Sequence, residues 1–180
     1  AATRRAIHKA ERSDLTITVG RDAEALLEFY HLHSRTRRRH GLPPQPLAFF
    51  QSLGRHLIES GLGEIVLAHL GGTAVAGAVF FHSGGKGIYK FGASESACWG
   101  LRPNHLVMWR AIQHLVAAGC RSLHFGRTAT GDAGLARFKR SWACTGETLG
   151  YFRYHVGKLA WILDENPPAE SHSLIFGHLP

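Results

Sequence analysis

Between residues 63 and 91, three strand-like runs follow one another with only glycine turns between them, and this constrains the fold more than any other feature. Residues 63–70 and 73–81 flank Gly71 and Gly72. A two-residue hairpin loop needs positive φ, and glycine supplies it without steric cost. Gly84, Gly85, Lys86 and Gly87 then turn the chain again into Ile88, Tyr89, Lys90 and Phe91. Connections this short cannot join parallel neighbours, which need a crossover of a dozen or more residues. The centre of the fold is therefore predicted to be an antiparallel meander.

Helical periodicity surrounds the meander. Residues 1–12 read as a polar, basic helix, and Leu15 to Val19 alternate as a first strand. Asp22 stands as an N-cap before Ala25, Leu26, Phe29, Tyr30 and His33, which recur at helical spacing. That helix ends in Arg35, Thr36, Arg37, Arg38, Arg39 and His40 before Gly41, and cations in a last turn complement the helix dipole. A second helix is predicted over 46–60 on Phe49, Phe50, Leu53, Leu57 and Ile58. After the meander, a loop over 92–103 leads to a helix over 104–119 with Leu106, Trp109, Ile112, Leu115 and Val116 inward. A strand over 121–125, a loop over 126–132, a helix over 133–142 and a final strand over 147–156 complete the order. Segregated strands and helices of this kind predict an α+β domain with a mixed, mostly antiparallel sheet flanked by helices.

Bulk properties narrow the function classes. The 180 residues suit one domain, and a hydrophobic fraction of 44% suffices for one core. No apolar run approaches the ~18 residues of a membrane helix. Neither a secretory pattern nor an initiator Met opens the sequence, so the chain is expected to be part of something longer, acting in the cytoplasm. Cys98, Cys120 and Cys144 form no zinc pair and no disulfide framework, and are expected as small core fillers. Of the 13 histidines, His31 and His33 are the only close pair, and at i, i+2 they point apart on a helix, so no metal site is expected. Lys and Arg exceed Asp and Glu by 21 − 13 = 8, which suits an anionic partner without choosing one.

Several motifs together resemble the second domain of FemAB-like proteins, which have the GNAT acyltransferase fold. Arg4, Arg5, Ala6, Ile7, His8 and Lys9 resemble their opening Arg-rich helix, and Phe29, Tyr30, 36–41, Pro43, Phe49 and Phe50 the paired helices that follow. Leu101, Arg102, Pro103, Asn104, His105 and Leu106, with Trp109 to Ile112, resemble the start and body of the next helix. The best match is Phe125, Gly126, Arg127, Thr128, then Gly134 to Lys139, then Trp142. With Asn166, Pro167, Leu179 and Pro180 it resembles the branch found beside exopolysaccharide and protein-sorting systems in bacteria. His124 stands where that family has an acidic residue, and Ala143 where it has glycine.

The resemblance implies an acyl- or aminoacyltransferase acting by direct attack on an amine of a cell-envelope, peptidoglycan or polysaccharide precursor. It implies no permanently bound cofactor, an acyl donor that is aminoacyl-tRNA or acyl-CoA, and an upstream domain of the same protein. Lys139, with Phe138 beside it, is implied as the residue that handles negative charge at the reacting or phosphate end. Arg127 and Thr128 lie in a loop after a strand end, where open sheets bind ligands. Gly100, Arg102 and Asn104 stand where GNAT enzymes cradle pyrophosphate at a helix start, but without the full glycine pattern, which favours a donor other than acetyl-CoA. An acetyl-CoA-dependent N-acetyltransferase is the alternative, and a basic nucleic-acid-binding module, motivated by Arg35 to Arg39, a weaker one. Residues 126–132 lack the Gly-Lys-Ser/Thr ending of a P-loop, which excludes nucleotide hydrolysis by that loop. His124, Asp132, Tyr89 and Tyr154 all remain candidates for a general base.

Overall fold

The computed structural model describes residues 2–129, 131–150 and 152–163. Helix α1 (Ala2–Glu11) precedes strand β1 (Leu15–Gly20) and helix α2 (Ala23–Arg39). Asp22 caps α2, its Oδ1 accepting the Ala25 N–H at 2.8 Å, and Gly41 leaves the helix at φ 67°. Helix α3 (Leu47–Leu53) continues without a break as a π-helical segment (Gly54–Leu62), where one α-helix was predicted. The winding changes at Gly54, where a Cβ would lie 2.9 Å from Leu26 Cδ2. Then come β2 (Gly63–Leu70), β3 (Thr73–Ser83) and β4 (Lys86–Ser94), a 3-10 turn (Ser96–Leu101), α4 (Pro103–Ala117), β5 (Ser122–His124) and α5 (Ala133–Arg140).

The main sheet has the order β1-β2-β3-β4-β5. The first three pairings are antiparallel and the β4–β5 pairing is parallel, as the meander and its following crossover helix predict. Side chains alternate across it. Ile65, Leu67 and Val79 face Leu26, Phe29, Leu32 and Phe50 of α2 and α3. Val66, Ala68, Ala76, Ala78 and Phe80 face Val107, Met108, Ala111 and Leu115 of α4. The two central strands thus read as continuous apolar runs because both their faces are covered.

Three details depart from the sequence reading. Leu106 and Leu115 are buried as predicted and Ile112 packs against the core, but Val116 is 64% exposed, and Val107, Met108 and Ala111 are buried without having been predicted inward. Cys98, Cys120 and Cys144 are all half-buried, and of the three Cys120 packs against the core. The final strand is shorter than predicted, β6 (Phe152–His155), and pairs with β7 (Ala160–Leu163) in a separate two-stranded sheet. Its Tyr154 packs edge-on to Trp161 at 5.1 Å. Tyr151, Asn166, Pro167, Leu179 and Pro180 lie outside the described residues.

Candidate active site

The parallel strands β4 and β5 pair only where Lys86, Gly87 and Ile88 meet Ser122, Leu123 and His124. Beyond Ile88, β4 runs on to Ser94, while the other chain bends at Gly126 with φ 69°. A Cβ at Gly126 would sit 3.3 Å from the Tyr89 carbonyl oxygen, so this position favours glycine on both backbone angle and proximity. The strands therefore part and open a V between residues 89–94 and 125–128. The carboxyl ends of parallel strands are where open sheets bind ligands. A bulge re-aims β4 at the apex. Val79 pairs with Phe91 and Phe80 with Tyr89, leaving Lys90 as the extra residue.

Tyr89 lines the V. Its ring stacks on Phe80 at 5.4 Å and meets Phe125 edge-on at 6.2 Å. The phenol oxygen lies over Gly92, where a Cβ would come within 1.8 Å of it. Burial pushes the Tyr89 hydroxyl up to about 12. At neutral pH it is a phenol, which donates a hydrogen bond and cannot take a proton, so Tyr89 drops out as a general base.

One wall of the V is built around Ser94 at the end of β4. The Ser94 N–H donates to Thr36 Oγ1 at 3.1 Å, and its carbonyl accepts from Arg39 at 2.8 Å. Its Oγ accepts from Trp99 Nε1 at 2.9 Å and Asn104 Nδ2 at 3.3 Å. Arg35 pairs with Glu95 at 2.5 Å, and the Arg39 guanidinium lies 5.3 Å from the Trp99 ring centroid. Arg37 donates to the Pro43 carbonyl at 3.0 Å. These three arginines of the basic run therefore fasten α2 to its neighbours.

The turn over 95–102 spends much of its own backbone. Cys98 N–H donates to Glu95 C=O, Arg102 N–H to Trp99 C=O and His105 N–H to Arg102 C=O. Arg102 takes a left-handed φ of 64° to enter α4, whose first residue, Pro103, has no N–H. Of the predicted residues here, Asn104 bonds Ser94, while Gly100 is exposed and has open space where a Cβ would be.

The opposite wall is the turn after β5 with α5. Asp132 caps α5, its Oδ1 accepting the Leu135 N–H at 2.9 Å. Lys139, only 8% exposed, donates through Nζ to the carbonyls of Gly126 at 3.1 Å and Arg127 at 2.9 Å. Burial lowers the Lys139 ammonium, while Asp132 and Cys144 act to raise it. Besides the charge that the resemblance assigns it, Lys139 thus ties the bend of the V to α5. His124 Nδ1 accepts the Gly126 N–H at 3.1 Å, adding a second tie to the same bend. Arg127 is exposed and Thr128 is half-buried.

His105 joins the two walls. It stands on the first turn of α4 and meets Phe138 edge-on at 5.3 Å and Trp142 at 6.1 Å. Burial lowers the His105 imidazole, and the Arg102 cation lowers it further. The predicted groups therefore flank one V: Arg102 and Asn104 on one side, Arg127, Phe138 and Lys139 on the other. Tyr89, a candidate base in the sequence, lines it as a phenol, and Ser94, Thr36 and Arg39 hold or line it without having been singled out as site residues. Their signal was weak, because Ser and Thr carry no motif and Arg39 was hidden in a basic run. Among the described residues, no group of three or more His, Cys, Asp or Glu is placed to hold a metal.

A five-stranded, mostly antiparallel sheet that splays at a parallel pair, with a helix starting at the mouth, defines the acyltransferase class. The chain belongs to the family described as "Acetyltransferase (GNAT) domain", whose sequence model matches residues 1–140. By sequence, none of the curated proteins compared matches it. Among solved structures it is similar to FemX at TM-score 0.71 and 18% identity, over 79% of this chain and 53% of that one. It thus spans about half the length of FemX. It is also similar to an aminoglycoside acetyltransferase from an uncultured soil metagenomic sample, in complex with sisomicin, at TM-score 0.63 and 14% identity, covering 79% and 97% of the two chains. A third is AAC(6')-Iy in complex with a bisubstrate analog, CoA-S-monomethyl-acetylneamine, at TM-score 0.63 and 12% identity, over 79% and 99%.

Proposed function

We propose that this domain transfers an acyl or aminoacyl group to an amine of a cell-envelope or polysaccharide precursor, in the cytoplasm, with aminoacyl-tRNA as the preferred donor. The donor carbonyl sits in the V between β4 and the bend at Gly126. The acceptor nitrogen attacks that carbon, the new C–N bond forms, and the bond to the donor's ester oxygen or thioester sulfur breaks. The attacking amine loses one proton and the leaving oxygen or sulfur gains one. Tyr89, held as a phenol, is placed to donate to a developing negative charge. Lys139 holds the bend and adds positive charge beside it.

The observation that carries the donor preference is the backbone of residues 95–105. Three of its N–H groups are already bonded to its own carbonyls, and the first helical residue is Pro103. A pyrophosphate laid against this turn meets fewer donors than a glycine-rich loop would offer. Acetyl-CoA remains the second donor. What favours it is the likeness, over nearly their whole length, to acetyltransferases, one of them captured with a CoA-derived bisubstrate analog. In this proposal the acceptor enters between this domain and an upstream one, supported by the half-length span on FemX.

The test is a donor comparison on the full-length protein. Aminoacyl-tRNA and acetyl-CoA are each offered with an amine-bearing envelope precursor, and acylated product is counted. Faster transfer from aminoacyl-tRNA is expected. Transfer from acetyl-CoA alone would reverse the donor assignment, and transfer from neither would overturn the proposal.

A further inference from the structure

Trp99 is the feature that the acyl-transfer chemistry leaves unexplained. It lies in the turn between β4 and α4, on the wall of the V, and remains 48% exposed. An indole this open is ordinarily free to rotate, but this one is fixed. Its Nε1–H is bonded to Ser94 Oγ at 2.9 Å, and Ser94 is itself buried and anchored by Thr36. The Arg39 guanidinium stacks 5.3 Å from the ring centroid and is held there by the Ser94 carbonyl at 2.8 Å. Ser94 therefore sets the position of both the ring and the cation.

We propose that Trp99 is a stacking platform for the adenine base at the nucleotide end of the donor. Every base presents a π-face, and aromatic side chains beside cations stack bases in many nucleic-acid sites. Charge supports a nucleotide rather than an apolar partner. Arg39 lies over the ring, Arg102 follows Trp99 at the end of the same turn, and Arg35 is paired with Glu95, so these four side chains carry a formal excess of 3 − 1 = 2 positive charges. Arg39 gains additionally, because a guanidinium over an indole keeps its outer N–H groups free to meet a phosphate. The inference rests on the V being a donor site, and adds which part of the donor is recognised and by what. Two donors share this chemistry. CoA ends in a phosphorylated adenosine, and aminoacyl-tRNA ends in a 3′-adenosine whose ribose carries the acyl group.

The probes are adenosine 3′,5′-bisphosphate, CoA, a short RNA hairpin ending in CCA, and 4′-phosphopantetheine, which has phosphate but no base. Binding to the 180-residue chain is measured by titration calorimetry. Wild-type protein is expected to bind adenosine 3′,5′-bisphosphate and at least one of CoA and the hairpin. Trp99→Ala should weaken those probes roughly 5- to 100-fold, the range for loss of one stacked base. It should leave 4′-phosphopantetheine unchanged within about twofold. Trp99→Phe keeps a ring and loses the Nε1–H, so it should fall between. Circular dichroism melts of the variants separate lost stacking from lost fold, and equal weakening of the base-free probe would overturn the platform. So would equal affinity of wild type and Trp99→Ala, or a wild type that binds no adenine-containing probe. Continued acyl transfer by Trp99→Ala at saturating donor would leave the acyltransferase proposal standing when the platform fails. Relative loss on CoA and on the hairpin tells which source supplies the adenine.

Discussion

Replacing Lys139 tests how the V is held together. Its Nζ makes bonds of 3.1 and 2.9 Å to the Gly126 and Arg127 carbonyls, and the residue is 8% exposed. A hydrogen bond to a charged group contributes roughly 1.5–3 kcal/mol, so two contribute about 3–6 at most. Two effects reduce the net loss. Lys139→Ala also removes the cost of a desolvated ammonium, and Arg127, being exposed, can give its carbonyl to water. A loss of about 2–3 kcal/mol is expected, read as a lower urea midpoint at unchanged slope. In a domain of this size that is roughly 5–10 °C in Tm. Lys139→Met keeps the aliphatic stem and should lose less, about 1–2 kcal/mol. The alkaline limb gives a second signature. Because burial lowers the folded-state value below 10.5, the unfolded chain binds more protons as pH rises toward that value. This lysine's contribution to stability therefore increases with pH in that window, and Lys139→Met should remove the increase. On activity, kcat/KM for Lys139→Met at a temperature where it is folded should fall at least ~100-fold, about 2.7 kcal/mol. Urea midpoints for Lys139→Ala and Lys139→Met within about 0.5 kcal/mol of wild type would refute the reasoning that Lys139 holds the bend.

Three further changes probe other parts of the fold. Gly92→Ala puts a Cβ within 1.8 Å of the Tyr89 phenol and should cost about 2 kcal/mol or more, with a smaller loss in a Tyr89→Leu background, measured as a double-mutant cycle in urea. Asp132→Ala removes the acceptor for the Leu135 N–H and should cost about 1 kcal/mol, checked by thermal melts that Asp132→Asn largely restores. Arg21→Ala takes the cation 3.5 Å from Glu64, whose side chain is 3% exposed, and should cost roughly 1–3 kcal/mol in urea, with Glu64→Gln in the same background recovering part of it.

The fold was legible because its signals are local. Gly71 and Gly72 fix a hairpin, Asp22 marks a helix start, and both-face burial of β2 and β3 leaves unbroken apolar runs. The separate pairing of β6 with β7 was not legible, because Phe152 and Tyr154 alternate as they would in the main sheet. The site was half legible. The residues around Gly126 and Lys139 formed a recognisable pattern, but burial of the ammonium depends on the bend of a distant strand. Ser94 and Thr36 meet across 58 positions of sequence, and no periodicity or spacing announces such a contact. In the sequence Arg39 is one cation among several, and only the fold brings Ser94 and Trp99 beside it.

In the proposed mechanism the amine attacks the donor carbonyl directly in the V, with no acyl group parked on the protein. The most direct measurement is a single-turnover reaction of the full-length protein with acyl donor and amine acceptor, quenched at intervals and analysed by intact-mass spectrometry. Acylated acceptor should appear in one phase while the protein's mass stays unchanged throughout. A protein species heavier by one acyl group, forming before product and decaying as product appears, would contradict the account.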